Sequence, residues 1–239
     1  MVMANGYTGK ILHVDLSNQN VEVEEPDEAF YRSYLGGRGI GYHYLMQQVP
    51  AGTDPFAPEN ILILATGVMT GAPLPASCRF AAVGKSPLTG TAGESEAAGF
   101  FGPELKMAGF DAVVFRGRAE KPVYLWVTDC KAQIKDAAHL SNAGACEFED
   151  AIRKEMGSKK IRVAQTGPAG LNRVRFANIT NNLGHFNGRN GFGAVMGSKN
   201  LRAVAALGTE KLGFENPEFL RDTAHNYART FKENPIGEQ

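Results

Sequence analysis

The chain repeats one pattern of motifs, and this repeat limits the folds that it can adopt. The segment from Phe101 to Gly117 matches the segment from Phe192 to Gly208 at a constant separation of 91 residues. Two shorter matches precede it in the same order: Thr66-Gly67 with Thr166-Gly167, and Arg79-Phe80-Ala81 with Arg175-Phe176-Ala177. A duplicated unit of about 100 residues predicts two β-rich halves that pack about a pseudo-twofold axis. Two related Gly-rich loops would then face one ligand with two similar halves.

Each half is predicted to run through a hairpin, a short helix, two strands, a Gly-rich loop, a helix and a strand. The predicted strands are 10–16, 21–24, 60–66, 79–83, 112–115, 123–127, 132–134, 160–164 and 175–180. The predicted helices are 27–35, 103–108, 148–156 and 217–232. The predicted fold class is α+β, with an internally duplicated β-rich domain over residues 1–209. Residues 210–239 are expected to be the beginning of a helical domain that is truncated.

The Gly-rich stretch 184–200, GHFNGRNGFGAVMGSKN, is the strongest candidate for a binding loop. Its five glycines tolerate positive φ and let backbone amides approach a ligand closely. Consecutive amides and a helix start favour a bound anion such as a phosphate. A Gly-rich surface loop before a short helix explains the same residues, so both interpretations stay open on this stretch alone.

Charge and cysteine content exclude several classes of protein. Lys+Arg and Asp+Glu are both 25, so no net charge favours a nucleic acid or a membrane surface as partner. The cysteines Cys78, Cys130 and Cys146 have no CxxC spacing, which argues against a disulfide framework and against a cluster held by this chain. No apolar run approaches the roughly 20 residues that span a bilayer, and the start has no signal-like core. We expect a cytoplasmic protein.

The chain resembles the N-terminal domain of the tungsten-containing aldehyde ferredoxin oxidoreductase family over residues 6–210. The matching motifs are GYTGK (6–10), YLGGRG (34–39), ATG (65–67), KSPLTG (85–90), GFFGPELK (99–106) and GAVMGSKNL (193–201). The resemblance implies a duplicated β-rich base that carries tungsten, or molybdenum, between two pterin dithiolenes whose phosphates a magnesium ion bridges. It also implies a [4Fe–4S] cluster in the full protein, without ligands in this chain.

The resemblance places the cofactor contacts in three parts of the chain. They are Arg79 on the predicted strand 79–83, the loop Glu96, Ala97, Ala98 and Gly99, and the loop His185, Phe186, Asn187, Gly188 and Arg189. The planar fork of an arginine suits a phosphate. The magnesium ion is expected to contact Glu96 and the main chain of Phe186. No catalytic residue is expected in this chain.

The sequence departs from the family pattern at two of these positions. Glu96 stands in place of asparagine and is a stronger ligand for a hard cation. His185-Phe186 stands in place of Arg-Ala, so the main-chain contact at Phe186 transfers more safely than any side-chain role. Arg79 as a strand-edge ion pair and Glu96 as a solvated carboxylate remain alternatives.

Other features suggest weaker alternatives. The runs 36–41 and 191–197 are Gly-rich, but they lack the spacing or the ribose-selecting residue of a dinucleotide loop. His43 and Cys78 are predicted to be structural.

The resemblance implies an oxidoreductase that oxidises aldehydes to carboxylates, or performs a related low-potential reaction, and passes electrons through the [4Fe–4S] cluster to ferredoxin. The implied partners are a small-molecule substrate, ferredoxin or another electron-transfer subunit, and a second copy or a complex. By itself the chain is not expected to turn over. A non-catalytic metallopterin-binding or assembly module that works with a separate polypeptide is the alternative function. A nucleotide-binding domain that uses the same loops is a third.

Overall fold

Two six-stranded mixed sheets form the body of the molecule. The computed structural model describes residues 5–233, apart from the side chain of Lys232. The first sheet contains β1 (Ile11–Asp15), β2 (Asn20–Glu24), β3 (Leu62–Thr66), β4 (Phe80–Lys85), β5 (Ala92–Ala97) and β6 (Ala112–Arg116). The second contains β7 (Val123–Thr128), β8 (Lys131–Asp136), β9 (Arg162–Gln165), β10 (Ile179–Asn181), β11 (His185–Asn187) and β12 (Leu201–Leu207).

The two sheets have the same topology. The strand order is β2-β1-β6-β3-β4-β5 in the first sheet and β8-β7-β12-β9-β10-β11 in the second. Each sheet has one parallel pair of neighbours, β1 with β6 and β7 with β12. The other neighbours are antiparallel in both sheets. The predicted duplication is therefore confirmed strand by strand, and so is the predicted α+β fold class.

Helices separate and cover the sheets. They are α1 (Glu28–Tyr34), α2 (Arg38–Gln48), α3 (Phe101–Met107), α4 (Ala145–Glu155), α5 (Pro168–Leu171), α6 (Phe192–Ser198) and α7 (Pro217–Thr230). The apolar side chains of α3 and α6 belong to the central core with residues of both sheets. The helices α1 and α2 cover the outer face of the first sheet, and α4 covers that of the second.

The strands carry apolar residues on both faces because each sheet is buried on both sides. In β3, Leu62 and Leu64 face the central core, whereas Ile63 and Ala65 face the core under α2. In β12, Val204 faces the central core and its neighbours face α4. This packing explains the continuous apolar runs in the sequence.

The predicted strand over 175–180 is wrong in its first half. The chain turns through Arg175 to Asn178, and the strand begins only at Ile179. Phe80 is buried in β4, whereas Phe176 is 72% exposed in the turn. The predicted equivalence of the two Arg-Phe-Ala motifs is therefore wrong, because β4 corresponds to β10.

The structure differs from the prediction in other elements as well. The helix α2 and the strands β5 and β11 were not among the predicted elements, and α3 begins two residues before the predicted start. The predicted helix over 217–232 is present as α7, which buries none of its residues. Among the described residues, no helix is long and apolar enough to cross a membrane.

Candidate functional site

A cleft of about 310 Å³ opens beside the ends of β4 and β5 in the first half. It is lined by the turn before α2 (35–38), the turn after β3 (67–70), residues 76, 77 and 79–81, Ala65 and Glu96. Two of the predicted contact residues, Arg79 and Glu96, therefore lie in the same cleft.

The turn between α1 and α2 forms one wall of this cleft. Leu35, Gly36 and Gly37 have φ values of 57°, 104° and 51°, three successive positive values. A Cβ on Gly36 would lie 2.7 Å from the carbonyl oxygen of Thr66, so only glycine fits there. The N-terminus of α2 begins at this turn without a side-chain cap. Its backbone dipole favours negative charge at the cleft.

The two arginines at the cleft differ in whether they contact a carboxylate. The guanidinium of Arg38 lies 3.4 Å from Glu94 Oε1 and 3.3 Å from Glu96 Oε1. Arg79 is exposed and forms no ion pair with any residue that the structure describes. The Arg79 guanidinium is therefore available to an anion, and the strand-edge ion pair considered for Arg79 is absent from residues 5–233.

A buried lysine supports the floor of the cleft. Lys106 Nζ donates to the carbonyl oxygens of Gly67 at 2.6 Å and Val68 at 3.2 Å. Burial removes this ammonium from water and lowers the pKa of Lys106 to about 8, although the carboxylate of Asp111 at 3.9 Å opposes the shift. Asp111 in turn accepts from the amides of Thr8 and Gly9. The turn after β3 is thereby tied to the N-terminal segment.

The predicted loops of the two halves lie against each other where β5 meets β11. Asn187 Nδ2 donates to the carbonyl of Ser95 at 2.7 Å, and the amide of Arg189 lies 3.2 Å from Ser95 Oγ. Gly99 has a φ of 102°, and a Cβ there would lie 2.1 Å from Asn181 Oδ1 and 3.0 Å from His185 Cδ2. The structure thus brings the loop 96–99 and the loop 185–189 together.

The predicted contact residues of the two loops differ in their exposure to solvent. His185, Phe186, Gly188 and Arg189 are exposed, but none of them lines the cleft. The side chain of Ala97 packs in the central core, and that of Asn187 is fully buried. Neither Ala97 nor Asn187 therefore presents atoms to a ligand in this structure, and both support the loops from inside.

Several residues of the site were not predicted from the sequence. Arg38 and Lys106 are the main ones, together with Asn181 from β10. The dense glycines at 36–41 were a signal for the wall of the cleft, since close backbone approaches at Gly36 and Gly39 and a positive φ at Gly37 favour glycine there. Lys106 carries no such signal, because a lysine in an amphipathic pattern is normally exposed.

His43 and Cys78 were both predicted to be structural. His43 packs against the rings of Phe30, Tyr34 and Tyr44 with centroids 4.3–5.0 Å apart. This aromatic environment agrees with a structural role for His43. Cys78 is half-buried and forms no disulfide.

The donors at this site suit phosphates and a hard cation. An exposed arginine, an uncapped helix N-terminus and glycine-rich main chain favour phosphate oxygens, and Glu96 offers a carboxylate. Within residues 5–233, no three His, Cys, Asp or Glu side chains converge on a possible metal position. A metal ion at this site would need main-chain or ligand-derived donors as well.

Comparisons with known proteins agree with this geometry. Residues 11–208 match the family model for the N-terminal domain of aldehyde ferredoxin oxidoreductase. The tungsten-containing aldehyde ferredoxin oxidoreductases of Thermococcus kodakarensis and Pyrococcus furiosus are 44% and 41% identical over 97% of this chain. An aliphatic sulfonate oxidoreductase, WOR-like subunit, of Pyrococcus furiosus is 35% identical over 86%. The chain spans 38% of the length of the first two relatives and 35% of the third.

A solved structure also has this fold. A chain of the active site complex BamBC of benzoyl coenzyme A reductase, in complex with 1,5-dienoyl-CoA, superposes with a TM-score of 0.93 at 39% identity. The match covers 98% of this chain and 36% of the other. The sequence matches, the duplicated sheets and the paired loops together show that the chain belongs to the aldehyde ferredoxin oxidoreductase family, in the part that corresponds to its N-terminal domain.

Proposed function

We propose that this chain is the cofactor-binding part of a tungsten-containing oxidoreductase. Its two loops would hold a tungsten ion, or a molybdenum ion, between two pterin dithiolenes whose phosphates a magnesium ion bridges. The observation that carries this proposal is the meeting of two equivalent edge strands, β5 and β11, at the loops 96–99 and 185–189. A ligand with two similar halves suits two equivalent loops.

The cleft and the two loops supply different contacts in this proposal. Arg79 would bind a phosphate through its exposed guanidinium, as would the helix N-terminus at Arg38. Glu96 and the main chain of Phe186 would contact the magnesium ion. Ala98, His185, Gly188 and Arg189 would hold the cofactor mainly through the backbone, and the buried residues Ala97, Gly99 and Asn187 would support the two loops. The metal and the pterins supply the redox chemistry, and these residues bind and orient them.

We further propose the reaction class from the relatives. It is the oxidation of an aldehyde to a carboxylate or a related low-potential reaction, with electrons passed through a [4Fe–4S] cluster to ferredoxin or another electron-transfer subunit. One relative is named for an aliphatic sulfonate, and the solved structure is that of a benzoyl coenzyme A reductase. The proposed substrate class is therefore not restricted to aldehydes. The working protein would be cytoplasmic and a homodimer or a complex. Residues 1–209 would form the cofactor domain, and residues 210–239 would begin a helical domain.

Pterin retention in a variant of the full natural protein tests the proposed contacts. Arg79→Gln removes an exposed guanidinium that has no ion-pair partner among the described residues, so the free energy of unfolding should change by less than about 0.5 kcal/mol. When the variant and the unaltered protein are diluted equally, the variant should nevertheless retain at least about tenfold less pterin per chain, since a charged hydrogen bond contributes about 1.5–3 kcal/mol.

Arg32→Gln is the matched control, because Arg32 is an exposed arginine whose one ion pair among residues 5–233 is with Glu28 on the outer helix α1. Equal pterin content in both variants would contradict the assignment of Arg79. A protein that holds the metal and the pterins in its natural context but shows no turnover would support the alternative, a non-catalytic metallopterin-binding or assembly module.

A further inference from the structure

Asparagine side chains join the two halves where the edge strands meet. Asn181 Nδ2 donates to the carbonyl of Ala98 at 3.0 Å, Asn187 Nδ2 to that of Ser95 at 2.7 Å and Asn190 Nδ2 to that of Glu94 at 2.6 Å. Asn182 Oδ1 accepts from the amide of Phe100 at 2.7 Å. We name these four asparagines, 181, 182, 187 and 190, the asparagine junction. In the described residues β5 and β11 share no backbone ladder, so side chains set their separation.

The burial of two of these residues is energetically unfavourable. Asn181 and Asn187 are fully buried, and the Oδ1 atom of each lacks a hydrogen-bond donor among the described residues. An unsatisfied buried acceptor destabilises the folded state, and an apolar side chain of similar shape would avoid that cost. Buried polar groups that are kept in spite of such a cost often specify geometry at functional sites.

The hydrogen bonds of the junction end beside the proposed contact residues. In the first half their acceptors, Ser95 and Ala98, flank Glu96-Ala97. In the second half their donors, Asn181 and Asn187, flank His185-Phe186. Gly99 leaves no space for a side chain between the halves, since a Cβ there would clash with Asn181 Oδ1. A change at either asparagine would thus move both loops relative to each other.

We propose that Asn181 and Asn187 are positioning residues that fix the separation of the two Gly-rich loops, so that main-chain atoms of both halves reach one ligand. The positioning of the loops follows from the hydrogen bonds described here. Its consequence for the cofactor rests on the proposed function. The two parts can be tested separately.

Amide hydrogen exchange in the full natural protein tests the positioning itself, with or without a bound cofactor. Asn181→Asp and Asn187→Asp keep the side-chain shape but remove the N–H donor. Exchange should accelerate about tenfold in segments 95–99 and 184–188 together, the factor that corresponds to ~1.4 kcal/mol of lost protection. Asn187→Ala, which adds no charge, is the second variant if the aspartates do not fold.

Asn200→Asp is the matched control. Asn200 Nδ2 donates to the carbonyl of Ala119 at 2.7 Å, a bond of the same kind at the other end of α6. Asn200→Asp should leave exchange in both loops unchanged. Unchanged exchange in the loops of Asn187→Ala and of the folded aspartate variants would overturn the inference.

The second measurement is the cofactor content and its electron paramagnetic resonance signal. Folded Asn181 and Asn187 variants should lose at least half of their tungsten and pterin and show a shifted or broadened W(V) electron paramagnetic resonance signal, whereas Asn200→Asp should match the unaltered protein. Loosened loops with unchanged cofactor content and signal would overturn the link between the junction and the cofactor. Loosened loops in a protein that never holds a metal pterin would support the positioning of the loops and contradict the proposed function.

Discussion

The main-chain amide of Thr66 donates a 2.8 Å hydrogen bond to the carbonyl of Asp111, and the second half repeats this bond between Thr166 and Arg202 at 3.1 Å. Arg202 follows Asp111 by the same 91 residues that separate α3 from α6. In the first half this bond precedes the turn that forms the floor of the cleft. The duplication is therefore preserved at the level of individual backbone hydrogen bonds beside the candidate site.

Gly99→Ala should destabilise the protein strongly. The backbone has a φ of 102°, and the new Cβ would lie 2.1 Å from Asn181 Oδ1. Strain of this kind costs about 1–3 kcal/mol, and the forced movement of buried Asn181 adds to it. Gly90→Ala is the control, since Gly90 has a φ of 72° with nothing within 4 Å of the added Cβ. Denaturant unfolding should show a loss of about 1 kcal/mol in the control and at least twice that in Gly99→Ala, and equal losses would contradict the close approach.

The stability of the protein should rise with pH above neutrality because of Lys199. Burial, with a further contribution from Arg118, lowers the pKa of this ammonium to about 7. In the unfolded chain it titrates near its ordinary value of about 10.4. Between these values the unfolded state binds more protons, so Lys199 alone should increase the free energy of unfolding by at most about 1.4 kcal/mol per pH unit. Lys106, whose pKa burial lowers to about 8, adds to the slope at higher pH. Denaturant unfolding between pH 7 and 9 measures this slope.

Lys199→Met should reduce that slope, most clearly between pH 7 and 8, and leave the contribution of Lys106. It should also destabilise the protein at pH 7 by about 1–3 kcal/mol, because the carbonyls of Pro58, Asn60 and Gly117 lose their donor. Lys211→Met, which removes an exposed lysine, should keep the slope of the unaltered protein. An unchanged slope in Lys199→Met would show that Lys199 is not the titrating group.

Glu96→Gln should lower the magnesium content of the full natural protein by at least half, because the amide is a weaker ligand for a hard cation. Glu94→Gln is a close control, since Arg38 contacts both carboxylates and Glu94 does not line the cleft. Both substitutions should change the free energy of unfolding by less than about 1 kcal/mol, because the Arg38 side chain is 60% exposed. Metal analysis of both proteins measures the difference. Equal magnesium loss in the two would remove Glu96 from the proposed site.

The sequence predicted the elements whose signals are local and missed those that tertiary contacts create. The apolar runs of β3 and β6 and the capped helix α1 were predicted close to their true bounds. The strand β5 was missed because its residues, Ala92–Ala97, are small or charged and carry no β-branched or aromatic signal. It is an edge strand that lies against another sheet edge, and no local pattern encodes that contact.

The error at 175–178 has a related cause. The alternation R-V-R-F-A is typical of a strand, but a Cβ on Gly191 would lie 1.9 Å from the carbonyl of Arg175. The close approach of the two backbones places a turn at this position.

The candidate loops could be found from glycine density and family resemblance. Arg38 and the asparagine junction could not, because each depends on which strands become neighbours at the sheet edges.

The metal and pterin content of the protein, purified in its full natural context, tests the central claim most directly. Two equivalent loops that share one ligand predict one tungsten or molybdenum ion and two pterins per chain. A correctly folded protein that contains neither metal and releases no pterin would contradict the account.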